Sequence, residues 1–128
     1  MLSQPHKLLR ISIFKNLNLM EIHRFNEEYD LALADFEQAL VLRPNALSVR
    51  GGLIRLYRDQ EEYDLVQQEV DEVLAMLPDA VAALTDQSWN YKLQDEREQA
   101  WETLHQALAH DPNHPYALVS RASMYIDA

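Results

Sequence analysis

Apolar residues recur at three- and four-residue steps along most of the chain, and the pattern itself recurs. Between Tyr29 and Pro44, the residues Tyr29, Ala32, Leu33, Phe36, Ala39 and Leu40 fall on one face of a helix. Thirty-four residues on, the same steps meet Tyr63, Val66, Val70, Val73 and Leu74, with Gln67 as the polar exception. A further 34 residues give Ala100, Trp101, Leu104, Ala107 and Leu108, with Arg97 in place of the tyrosine. No insertion breaks the register. The pattern predicts three helices of one kind.

A second, looser series precedes each of these. Tyr57, Tyr91 and Tyr125 lie 34 apart, and His23 takes the same place in the first unit. Leu84 matches Leu118, and Ser88 matches Ala122. The series predicts a first helix in every unit, beginning with one over about Pro5 to Phe25. Polar linkers separate first from second helix: Asn26-Glu27-Glu28, Asp59-Gln60-Glu61-Glu62 and Gln94-Asp95-Glu96. Their carboxylates fall where a helix N-terminus favours negative charge.

Pro44, Pro78 and Pro112 close the units, again 34 apart. Each lacks a backbone donor and biases Arg43, Leu77 or Asp111 away from helix. Asn45, Asp79 and Asn113 follow, as expected caps for the next helix. Pro115 lies just inside the last helix, where its missing N–H costs nothing.

A fixed period of this length, carried by prolines, aromatics and small residues, resembles the tetratricopeptide repeat family. Ala32, Phe36, Ala39 and Pro44 match that family's second-helix pattern in full. Ala100, Leu104, Ala107 and Pro112 match it nearly as well, whereas Val66, Val70 and Val73 replace small–large–small with three valines. The family's first-helix glycine is absent, and Met20, Ile54, Ser88 and Ala122 stand there. The resemblance covers about residues 13–128. It implies one all-α domain of about seven helices, a right-handed α-solenoid of antiparallel pairs. The expected units are 13–46, with a degenerate first helix, then 47–80, 81–114 and a closing helix over 115–128.

Composition narrows the function. The 128 residues carry a formal net charge of −10 and no cysteine. Disulfides, thiolate metal sites and a cysteine nucleophile are excluded. An acidic surface repels phosphate backbones, which argues against nucleic acid and against the RNA-reading pentatricopeptide family of similar period. No run reaches the ~18 apolar residues of a membrane span. The N-terminal residues carry charge where a signal peptide would be apolar. These features point to the cytoplasm.

The resemblance places function on the first helices, which line a groove that takes an extended peptide or a partner helix. Arg24, Arg58 and Lys92 are spaced by 34 and form a basic row. Arg55 and Trp89, also 34 apart, fall on successive first helices, and Tyr116 stands on the last. Cations on one face of an acidic chain would draw a carboxylate-bearing segment, and a tryptophan is a frequent anchor. The same cations end their helices, where the dipole alone favours them. Trp89 equally suits packing between units. Gly51-Gly52 suits either a closely approaching ligand or tight helix packing. The chaperone-tail clamp of some family members finds no match, since Leu17, Glu21, Gly52, Ala82 and Asp86 stand at its positions.

No chemistry-bearing motif emerges. His6, His23, His105, His110 and His114 do not form a zinc-binding helix pair. Phosphate loops and nucleophile elbows are missing. The expected function is a non-enzymatic adaptor, without cofactor or metal, that binds an acidic protein or peptide. The alternative is self-assembly, a homodimer formed through the last helix.

Overall fold

The computed structural model describes residues 19–127, with the side chains of 19 and 21–24 outside that description. These residues are all-α: α1 (Leu19–Leu42), α2 (Leu47–Asp59), α3 (Tyr63–Met76), α4 (Val81–Leu93), α5 (Arg97–His110) and α6 (Pro115–Ile126). Six helices are described where about seven were expected, since most of the expected first helix, with Leu17, lies outside the described residues. The chain divides into two compact units after Leu56.

The 34-residue period reappears in the backbone. Ala46, Ala80 and His114 each donate an N–H to the carbonyl three residues back, on Arg43, Leu77 and Asp111, at 3.1–3.3 Å. Pro44, Pro78 and Pro112 occupy the second place of these β-turns, where a fixed φ is already correct. Asn45, Asp79 and Asn113 occupy the third place. They are therefore turn residues rather than the expected caps: Ala80 and His114 stand at the N-caps of α4 and α6, without a side-chain cap bond. Asp111 Oδ1 accepts instead from the Asn113 N–H at 3.1 Å. Pro115 opens α6 as expected.

The turns inside the second and third repeats are also copies. Glu62 N–H returns to the Tyr57 carbonyl and Glu61 N–H to Arg58, and Glu96 and Asp95 do the same to Tyr91 and Lys92. This is the Schellman pattern, with one left-handed residue after the helix. Glu61 (φ 58°) and Asp95 (φ 62°) hold that place. Neither is a glycine, so each carries some steric strain.

In the first unit α1 runs for 24 residues, against 12–14 for the helices from α2 onwards. It passes straight through Asn26-Glu27-Glu28, where the sequence pattern predicts a linker. No glycine or proline interrupts the segment, and each further helical residue adds a hydrogen bond once a helix is nucleated. Tyr29, Leu33, Leu53 and Ile54 are buried in this unit. Gly52 faces the Phe36 ring, and a Cβ there would come within 2.5 Å of Phe36 Cε1. The glycine pair thus serves packing at Gly52, while Gly51 faces open space.

In the second unit α4 packs against α3, α5 and α6, and α5 packs against α6. Contact with the next helix and the next but one is the stacked-pair arrangement of the expected solenoid. Leu84, Ala100, Leu104, Ala107, Leu108, Ala117 and Met124 form the core. Ser88 Oγ donates to the Ala100 carbonyl at 2.7 Å, a contact that small residues at this crossing permit. Arg97 ties the start of α5 to the Met124 carbonyl on α6 at 2.7 Å.

Candidate functional site

Within the second unit, the end of α2, the middle of α4 and both ends of α6 bring polar groups together. Arg58 stands in the last turn of α2, where the helix dipole favours a cation. Its Nη2 donates to Asp86 Oδ1 on α4 at 2.9 Å. Tyr116, in the first turn of α6, donates its hydroxyl to the same oxygen at 2.6 Å. Arg58 Nη2 also lies 3.4 Å from the Tyr116 hydroxyl. One carboxylate oxygen therefore joins three successive first helices. Burial, and then the Asp86 charge beside it, push the Tyr116 phenol well above its usual value of 10.0.

A second cluster lies on α4 and α6. Lys92 Nζ sits 4.5 Å from the centroid of the Trp89 ring, close enough for a cation–π interaction. The same ammonium donates to Ser123 Oγ at 2.6 Å and pairs with Asp127. Asp127 is half exposed, with 51% of its side-chain surface in solvent. Trp89 itself is half-buried.

Two donors in these clusters lack an acceptor among the described residues. Trp89 Nε1 and Arg58 Nε are both buried from solvent without a hydrogen-bond partner. A donor left so costs about 1–3 kcal/mol in desolvation, which an incoming acceptor would recover.

The structure thus joins Arg58 to Tyr116 through Asp86, and Trp89 to Lys92. Arg55 is exposed on α2, within the first unit. The Arg24 side chain lies outside the description. Thr85, next to Asp86 on α4, is fully buried and donates its hydroxyl to the Val81 carbonyl at 2.7 Å. The partners of the two cations were not read from the sequence. Asp127 lies 35 residues after Lys92, one step beyond the repeat, and that offset was the available signal.

Among the described residues no group of three or more His, Asp or Glu side chains is placed to hold a metal ion. No described helix is long and apolar enough to cross a membrane. Compared with known proteins, the chain matches no family model and no curated protein sequence.

Proposed function

We propose that this chain is a tetratricopeptide-type adaptor of the cytoplasm, without catalytic activity, that binds a polypeptide segment along its first helices. The observation that carries the reading is the pair of buried, acceptor-less donors, Trp89 Nε1 and Arg58 Nε, beside a cation held over the indole. A segment bearing carbonyl or carboxylate oxygens supplies what both donors lack. Its carboxylate competes with Asp127 for Lys92, because Asp127 is the more exposed member of that pair. Arg58 is held by Asp86 and Tyr116 and acts through its Nε edge. Tyr116 positions the carboxylate that holds Arg58.

The test is comparative affinity capture with the full chain, the Trp89→Ala variant and the Lys92→Ala variant. Proteins retained by the wild type and lost from both variants would support the site. A loss of more than about 1 kcal/mol, roughly fivefold, in the measured affinity of one such protein is expected. Binding that neither substitution weakens would contradict it.

A second reading has its own observation. Pro115, Val119, Ala122 and Ile126 line one exposed face of α6, with Ile126 82% exposed. A face of that kind suits self-assembly through the last helix. Sedimentation should then show a dimer that Ile126→Asp disrupts. A strict monomer at high concentration would set this reading aside.

A further inference from the structure

Two eight-residue segments of the chain are almost the same peptide. Arg24-Phe25-Asn26-Glu27-Glu28-Tyr29-Asp30-Leu31 differs from Arg58-Asp59-Gln60-Glu61-Glu62-Tyr63-Asp64-Leu65 only at its second and third residues. The first is continuous helix; the second ends one helix, turns and starts another. The turn requires a left-handed residue, and Glu61 supplies it at φ 58°. Glu27 is the same amino acid at the same place. Neither segment contains a glycine or proline that would forbid one conformation.

The flanks of the straight segment are less covered than their counterparts in the later repeats. Met20 is 80% exposed, whereas Ile54 and Ser88, which share its repeat position, are 2% exposed. On the other side of the segment, Ala32, Phe36 and Ala39 are half-buried. Their counterparts Ala100, Leu104 and Ala107 are fully buried, as are Val66 and Val70. Reversal at Glu27 would bring residues 19–25 back along α1, toward the Ala32–Phe36–Ala39 column, and would offer Met20 a surface to pack on. A straight helix gains local hydrogen bonds; a reversed one gains apolar burial and accepts one left-handed glutamate. The two gains oppose each other within a single peptide.

We propose that Asn26–Glu28 is a two-state hinge, and that residues 19–25 exchange between the straight helix and a position folded back on the same chain. The straight form presents the Ala32–Phe36–Ala39 column, and the folded form covers it. This inference does not rest on the partner-binding reading.

The chain has no cysteine, so paired labels can be placed cleanly. Glu21→Cys and Val41→Cys put spin labels at positions that folding back leaves open, since Arg55, the repeat counterpart of Glu21, is exposed, as is Val41. Pulsed dipolar spectroscopy on the full chain then reads the separation. The straight helix sets it at about 30 Å, from about 20 steps of 1.5 Å. The folded form sets it at about 15–20 Å, from a helix spacing of about 10 Å and the axial offset. Two populations are expected. Glu27→Gly, which suits the left-handed place, should enrich the shorter distance, and Glu27→Ala the longer. A single distance of either length that neither substitution moves would overturn the proposal. So would a short distance that vanishes when labelled chains are diluted with unlabelled ones, since the contact would then lie between copies.

Discussion

Helices α1 and α5 carry the same column of small, large and small residues but meet different surroundings. Ala100, Leu104 and Ala107 on α5 are fully buried between α4 and α6. Ala32, Phe36 and Ala39 on α1 stay half-covered, although they keep the same spacing. A repeat signature therefore specifies what a helix is able to bury. Whether burial happens depends on a preceding helix folding back, and α1 runs straight through the place where its turn would lie.

That contrast can be broken most directly in the core. Leu104→Ala should cost about 2–5 kcal/mol, because a cavity opens where nothing can relax into it. Phe36→Ala removes a larger side chain and should cost clearly less, since Phe36 is only partly buried where Leu104 is fully buried. Urea unfolding followed by far-ultraviolet circular dichroism compares the two. Equal losses would show that the two columns are packed alike.

The polar ties of the complete region come next. Asp86→Ala strips Arg58 of its carboxylate and should cost about 2–3 kcal/mol, the buried-pair value reduced for partial exposure. Tyr116→Phe removes one hydrogen bond and should cost about 1 kcal/mol. Thermal unfolding measures both. The same tyrosine gives a pH dependence with a definite sign. Its folded value lies above the unfolded one, so its contribution is complete below pH 10.0 and declines as pH rises past it. Stability that is flat from pH 9 to 11 in the wild type would contradict this.

Backbone substitutions have the smallest effects and the sharpest signs. Gly51→Ala should stabilise by about 1 kcal/mol, since its Cβ enters open space. Gly52→Ala should lose that gain against the Phe36 ring, which must shift. Glu61→Gly should stabilise by about 0.5–1 kcal/mol by relieving a left-handed residue. In the straight helix Glu27→Gly should destabilise by about 1 kcal/mol. Opposite signs at two equivalent glutamates would confirm that one peptide holds two conformations.

Much of the fold was legible. The prolines marked the three turns, and the apolar steps marked α3 and α5, because a 34-residue period repeats backbone geometry as well as side chains. Asn45, Asp79 and Asn113 were misread as caps because a residue after proline suits a turn and a cap equally. The straight course through Asn26-Glu27-Glu28 could not be read from those residues, since their near-copy at 60–62 does turn. Around the candidate site, the register singled out Arg58, Trp89, Lys92 and Tyr116, which the structure places in two polar clusters. It did not reveal that Asp86 and Asp127 already neutralise the two cations. Those pairings depend on how far long side chains reach between helices, which spacing alone does not encode.

Backbone amide exchange, resolved by peptide, compares the complete and the open repeat in one experiment. Amides of α5 should exchange only on global unfolding. Those of α1 from Ala32 to Leu40 should exchange at least about tenfold faster, a gap of about 1.4 kcal/mol. Equal protection of α1 and α5 would contradict the contrast between them.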